Sequence, residues 1–317
     1  MPLRFVTVDL RKAKIQAARF TADGLQEARV VLSTNVQDGL DVGVRRICSA
    51  IRQVWPMQEM VSAIGVSVPG MLDTKRGVLH TSAELPGWYD VAFRDTLVEV
   101  FGVPVFVGPA AGAAALAEQR FGVGQGVADL VYIAMGETLE SGIVLDNRLF
   151  TGGNGLGGGI GRIAMLLPED TVQGAVTYLE SLLGNAALLQ RVHDRIVRGE
   201  ASLLPEMVGG DLSRLTIEVM CAAAQQNDRP ALAVLSEAGT YLGMAIVSLM
   251  HLLNPSLFVL DGTVKLAGNA ILGALHQSIL THAPDVYQEH TRTVLAQFGD
   301  DIGVWGALAL CLVELGL

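Results

Sequence analysis

The sequence is short of charge, of aromatic residues and of cysteine, and each shortage excludes something. Only 17% of the 317 residues are Asp, Glu, Lys or Arg, whereas 50% are hydrophobic. Such a chain buries a core and is not disordered, and its length allows two domains. Lys and Arg number 22 against 32 Asp and Glu, with no run of basic residues. Phosphate backbones are bound by clustered cations, so direct nucleic-acid binding is not expected. Three cysteines, Cys48, Cys221 and Cys311, are scattered and form no CxxC pair. They are expected to be buried thiols, not disulfides or metal ligands. The six histidines make no HExxH or other metal spacing. Long apolar runs are also missing. Tyr241–Leu253 is broken by Ser248 and His251, and Val304–Leu317 by Glu314. Both read as buried helices, and no membrane association is expected. No apolar run precedes Asp9, so no signal peptide is expected and the expected location is the cytoplasm.

What is present is an alternation of strands and helices. Phe5–Val8, Ile15–Phe20 and Ala28–Ser33 carry strand patterns, followed by helical spacing over Asp41–Trp55. Val61–Val68 reads as a buried strand, Thr81–Trp88 as a loop and Val91–Phe101 as a helix. Val105–Val107 is then a strand, Gly108-Pro109 a turn, and an alanine-rich helix runs to Arg120. The pattern restarts with strand Leu130–Met135, turn Gly136–Ser141, strand Gly142–Leu145 and hairpin turn Asp146-Asn147. Two halves that begin alike suggest an internal duplication. Beyond a Gly-rich loop, 151–161, the chain from about Thr171 to His251 reads as mostly helical. Leu257–Leu260 reads as a strand, Asn269–Ala283 as a helix, Val294–Phe298 as a strand and Val304–Leu317 as a closing helix. The fold class is α/β with two sheets.

A strand that stops at a helix N-terminus is where many α/β proteins place their chemistry. Here that place is silent: Val105 through Ala117 holds no acid, base, hydroxyl or thiol. The formal GxGxxG from Gly153 to Gly158 follows a hairpin and lacks a GK[ST] ending, so it reads as loop. The turns after Asp9 and at Gly136 would cradle a phosphate only if the backbone approached closely. The first is Arg11-Lys12-Ala13, without glycine; the second contains Glu137 and Glu140, which repel anions. Both read as solvated hairpin turns. Arg162 reads as a loop residue.

The order of these stretches resembles the ROK family of bacterial sugar kinases and sugar-responsive repressors, over nearly the whole chain. SVPGMLDTKRGVLHTSAELPGW (67–88) is similar to the family's "VPGxxD…G…S-P-N-LPGW". VPVFVGPAAGAAALAEQRFGVGQG (103–126) is similar to "PVFVENDANAAALAExxFGAGRG", and 130–162 to "LVYLTLGTGIGAGIVLDGRLxxGxxGxAGEIGH". LNPSLFVLDGTV (253–264) and FGDDIGVWGALAL (298–310) resemble "LNPxxIVLGGGV" and "xGDDAGLLGAAxL". The resemblance implies a two-lobed actin-like, ribonuclease H-like fold with a duplicated sheet domain. It places one lobe at 1–107 plus 304–317, closed by the C-terminal helix, and the other at 108–303. A repressor's helix-turn-helix domain is not expected.

The framework agrees with the family and the working residues depart from it. The family's proton-abstracting aspartate, with the sugar-binding asparagine before it, is placed on Gly108-Pro109, and proline cannot accept a proton. The first phosphate turn keeps Asp9 but has Arg11 and Lys12 for glycines. The second keeps Gly136 and has Glu137, Thr138, Leu139, Glu140 and Ser141. The sugar-binding Glu and His become Gly159 and Arg162, and the asparagine before LPGW becomes Glu84. The zinc-binding cysteine positions carry Gln173 and Tyr178, leaving Glu180 as a sugar-contact position. Asp261 stands in a glycine position of the "LGGG" segment, and Gly262 is kept. The resemblance implies ATP with Mg and structural zinc for an active member; for this chain no cofactor, metal or catalytic residue is expected. The expectation is a non-catalytic protein that binds a small polar ligand or a protein partner, as a dimer. The alternatives are an ATP-dependent hexose or N-acetylhexosamine kinase with an atypical site, or a transcriptional regulator without its own DNA-binding domain.

Overall fold

A computed structural model of the chain describes residues 3–165 and 177–317. Strands β1 (Arg4–Leu10), β2 (Lys14–Thr21) and β3 (Gln26–Ser33) form a meander, followed by helix α1 (Leu40–Val54) and strand β4 (Ala63–Val68). Short strands β5 (Met71–Asp73), β6 (Val78–Thr81) and β7 (Val91–Ala92) then precede α2 (Phe93–Phe101), β8 (Val105–Pro109) and α3 (Ala110–Phe121). The second half runs β9 (Leu130–Met135), β10 (Leu139–Leu145), β11 (Arg148–Leu149), β12 (Ala164–Met165) and β13 (Thr177–Tyr178). Helices α4 (Leu179–Leu183), α5 (Asn185–Val197), α6 (Leu204–Met207), α7 (Ile217–Gln225) and α8 (Arg229–Leu253) follow. The chain ends with β14 (Leu257–Gly262), α9 (Thr263–Ala267), α10 (Asn269–His282), α11 (Asp285–Gln288), β15 (Arg292–Leu295) and α12 (Ile302–Glu314).

The duplication is visible in the sheets. One has the order β3-β2-β1-β4-β8 and the other β11-β10-β9-β14-β15, so each set of five strands is arranged third, second, first, fourth, fifth. In the first sheet β1 is antiparallel to β2 and β2 to β3, whereas β1–β4 and β4–β8 are parallel. The missed feature is a small antiparallel sheet, β5-β6-β7. Its strands are two to four residues long, too short for alternation to register.

The chain forms two compact units: 1–132 with 142–158 and 296–317, and 133–141 with 159–295. This partition differs from the expected boundary at 107/108, because α3 belongs with α12 in the first unit. A Cβ on Gly306 would collide with the Ala113 carbonyl, and one on Gly142 with that of Ala111. The alanine-rich composition of α3 follows from these close approaches, which larger side chains would hold apart. Gly65 of β4 is equally constrained, since a Cβ there would collide with the Ala307 carbonyl of α12.

Strands β1, β2 and β3 of this unit carry an ion cluster. Glu27 accepts from Arg4 Nε at 2.9 Å and from Arg19 Nε at 2.8 Å. The hydrogen bond from Arg4, helped by the two positive charges, holds the Glu27 carboxyl below its ordinary value. A depressed carboxyl stabilises fully above its unfolded value, about 4.3, and loses that contribution as pH falls through its folded value. Glu27→Gln is therefore expected to lower the urea midpoint at pH 7, and the gap to wild type should close between pH 5 and pH 2. A gap independent of pH would contradict this assignment.

In the second unit β14 and β15 pair in parallel from Leu257↔Arg292 to Leu260↔Leu295. The pairing begins two residues before the expected Val294 and stops at Leu295. Helix α8 is long and apolar enough to cross a membrane by length and composition. Its buried face packs on α10, where Gly239 and Gly243 meet the carbonyls of Ile271 and Leu275. All three cysteines are buried, and burial pushes the Cys221 thiol up to about 11.

Candidate functional site

In the first unit, Asp9, next to last in β1, lies beside two polar neighbours of the same sheet: Gln16 across the antiparallel pair and Ser67 across the parallel pair. All three are fully buried. Gly303, in the first turn of α12, packs directly on the Asp9 carboxylate; a side chain there would displace one or the other. The helix N-terminus favours the negative charge. Arg11 Nε donates to Asp9 Oδ2 at 2.8 Å. The Asp9 charge, opposed by partial burial, raises the Arg11 guanidinium above its ordinary value, and Glu84 raises it further. Asp9 Oδ1, Gln16 Oε1 and Ser67 Oγ have no hydrogen-bond partner among the described residues.

The turn after Asp9 is closed on itself. Arg11 N donates to the Lys14 carbonyl at 2.9 Å and Thr34 N to that of Ala13 at 3.2 Å. Thr34 Oγ1 donates to the Arg11 carbonyl at 2.6 Å. Lys12 N points at Glu84 Oε2 at 3.4 Å. The structure thus brings Asp9, Arg11, Lys12 and Glu84 together, with a carboxylate in front of the turn amide that a phosphate would need. Two anions competing for one amide repel, so this turn does not fit a nucleotide phosphate.

Gly108 and Pro109 form the end of β8, opposite Ser67 and Val68 of β4, and not the expected turn. Leu310 of α12 packs where a Gly108 side chain would begin. Pro109 is the N-cap of α3, with φ −64° and ψ 142°, a φ its ring already imposes. Glu118 fixes the register of the family stretch. It is fully buried; Oε1 accepts from Gln297 N at 2.8 Å and Phe298 N at 3.1 Å, and Oε2 accepts from Val123 N at 3.0 Å. Paired without gaps back from this shared glutamate, "ENDANAAALAE" falls on Gly108–Glu118. The asparagine position is Pro109 and the aspartate position is Ala110, one residue beyond the expected placement. Ala110, the first residue of α3, has no proton acceptor on its side chain either, so the silence of this strand end stands. Nothing local in the sequence marks Glu118, because the amides that converge on it come from distant segments.

In the second unit, the phosphate-turn positions meet the end of β14. Gly262 has φ +69°, and a Cβ there would collide with the Met135 carbonyl; glycine is required on both counts. Thr263 Oγ1 donates to Asn185 Oδ1 at 2.7 Å, and Asn185 N donates to the Gly136 carbonyl at 2.8 Å. Gly136, Thr138 and Gly262 are therefore neighbours. Gly136 N donates to the Thr138 carbonyl at 3.0 Å, and Leu139 N donates to Glu180 Oε2 at 3.2 Å. The turn is shorter than expected, because β10 already begins at Leu139. Two of its amides, those of Gly136 and Leu139, thus face protein acceptors, and Glu137 adds an exposed carboxylate beside them. This turn does not fit a phosphate either.

Glu180 and Gly161 are in contact, Arg162 lies 5.7 Å over the Tyr178 ring, and Gly159 faces open space. Arg162 thus stacks on the residue that occupies a zinc-cysteine position. No group of three or more His, Cys, Asp or Glu suited to a metal exists among the described residues. With tyrosine for a thiolate, zinc does not fit there; Gln173 lies outside the described residues.

The model of the ROK family matches residues 5–314, and the chain belongs to that family. It is 25% identical over 316 residues to a glucokinase of Thermotoga maritima, covering 99% of each chain. It is 32% identical over 257 residues to the DNA-binding transcriptional dual regulator NagC of Escherichia coli, covering 80% of this chain and 61% of that regulator. Among solved structures, a ROK family glucokinase from Streptomyces griseus in complex with glucose and AMPPNP superposes with a TM-score of 0.79 at 26% identity, covering 97% and 98% of the two chains. The protein is a sugar-kinase-like or repressor-like member of the ROK family with the actin-like ATPase fold.

Proposed function

We propose that this protein is a non-catalytic ROK member, a cytoplasmic dimer that works by binding a small polar ligand or a protein partner. The observation that carries this reading is the Asp9–Arg11 ion pair at 2.8 Å with Glu84 on the adjacent Lys12 amide. Side chains of the protein engage the carboxylate and the turn amide that a phosphate-binding turn would leave open. Pro109 and Ala110 supply no general base, whose loss alone costs about 10²–10⁴-fold in rate. Consumed amides in both turns add a positioning defect to that loss. No ATP, Mg or zinc dependence follows from this arrangement. Within the second unit, the sugar-contact positions Arg162 and Glu180 offer charged groups for a polar ligand in place of a kinase's sugar contacts.

A coupled ADP-release assay over hexoses and N-acetylhexosamines tests the reading. No turnover above background is expected with any sugar. A rate in the ordinary kinase range, roughly 1–100 s⁻¹, would establish the alternative of an ATP-dependent sugar kinase with an atypical site. The likeness to NagC supports a regulatory role through a partner as the second reading. A thermal-shift screen with sugars, sugar phosphates and ATP separates ligand binding from a role confined to protein partners, which predicts no shift with any of them.

A further inference from the structure

We infer that the first unit holds a second ligand site, a cavity of about 900 Å³ that takes a small organic anion with an apolar body. The cavity lies along β8 from Pro104 to Gly108 and reaches Leu310, Val313 and Glu314 at the C-terminal end of α12. Asp9 meets the same helix at Gly303. Seven residues of helix, about 10 Å, separate the two places, so the cavity is distinct from the Asp9–Arg11–Glu84 cluster.

Its chemistry is divided. The floor is apolar, from Val105, Val107, Leu116 and Leu310, and three cations converge on the cavity: Lys75, Arg94 and Arg148. Among the described residues only one carboxylate, Glu314, lines it. None of the three cations takes part in an ion pair among the described residues, whereas Arg4, Arg11, Arg19, Arg29 and Arg46 of the same unit all do. Two of the three are held in place by backbone. Lys75 Nζ donates to the Gly153 carbonyl at 2.8 Å, and Arg94 Nη2 to that of Thr74 at 2.9 Å. These neutral acceptors orient the side chains and leave their charge uncompensated. In a protein of net charge −10, three unpaired cations around one cavity favour an anion there. Pockets of this size with an apolar lining and a few fixed polar groups are the usual form of small-molecule sites. The apolar floor excludes a bare inorganic ion as the best occupant, because such an ion leaves that surface uncovered. This site stands whether or not the protein phosphorylates a sugar.

Fluorescence titration of the full chain with 8-anilinonaphthalene-1-sulfonate tests the site. One saturable site is expected, with the probe displaced by decanoate and by decyl phosphate but not by decanol. Lys75 and Arg148 are exposed, so Lys75→Glu/Arg148→Glu should keep the melting temperature and weaken the probe by at least about tenfold. Leu149→Trp, which fills the cavity from its wall, should weaken it without changing charge. Unsaturable binding, equal competition by decanol, displacement by glucose or ATP, or an affinity untouched by either variant would each overturn the proposal.

Discussion

Glu118→Ala is expected to destabilise the protein by about 3–5 kcal/mol. The Glu118 carboxylate is fully buried and has no Lys or Arg partner among the described residues. It is held by three backbone amides from two places: Val123 just after α3, and Gln297 and Phe298 just before α12. Alanine would leave all three part-buried N–H groups without their acceptor, and an orphaned buried donor costs about 1–3 kcal/mol. The fit is tight, since a Cβ on Gly122 would collide with Glu118 Oε2. Glutamine is not a conservative replacement. Its amide can face Gln297 and Phe298 with the oxygen, but its NH₂ then points at the Val123 N–H, donor against donor. The expected order of melting temperatures is wild type, then Glu118→Gln, then Glu118→Ala, with the alanine variant lowered by on the order of 10 °C. Equal melting temperatures for wild type and Glu118→Ala would show that the carboxylate is not the tie between these segments.

Arg11→Ala should cost about 2–3 kcal/mol. Breaking a fully buried ion pair costs about 3–5 kcal/mol because the remaining charge is left uncompensated. Here the remaining charge is Asp9, fully buried, but Arg11 is 39% exposed. Its side of the pair is screened by water, and the α12 N-terminus shares the compensation. If the arginine is there to neutralise Asp9, the double variant Asp9→Asn/Arg11→Ala should regain much of the loss, measured by urea unfolding. Additive losses in the double variant would mean the two residues act independently. The comparison bears on function too. A kinase-like turn needs Asp9 free toward a ligand, whereas the stability cost of removing Arg11 measures how strongly the protein keeps it engaged.

The chain order of strands and helices, the duplicated halves and the family were legible in the sequence, because hydrophobic periodicity and turn residues act locally. So was the silence of the segment around Val105–Ala117, since no tertiary contact can give proline or alanine a proton acceptor. What local pattern could not give was the side of the fold to which α3 belongs. Its alanines fit any close packing, and only the approach of Gly306 to Ala113 shows that the partner is α12. The placement of the missing base on Ala110 needs no structure, because PVFV before it and AAALAE after it fix the register in the sequence. Only the role of Glu118 became visible through amides 179 and 180 residues away.

Read as letters, Arg11 and Lys12 are glycine losses and Glu84 is an asparagine loss, three separate defects. In three dimensions they are one arrangement, because Arg11 binds Asp9 and Glu84 faces the Lys12 amide. The sequence determines that these groups exist and that the ordinary chemistry is gone. Only the tertiary structure decides that the replacements pair with one another, because ion pairs and amide contacts depend on distances that residues 72 positions apart acquire when the sheet forms. The same holds for the cavity beside β8. Lys75, Arg94 and Arg148 are unremarkable in the sequence, and they become a site only where the chain folds them around one apolar floor.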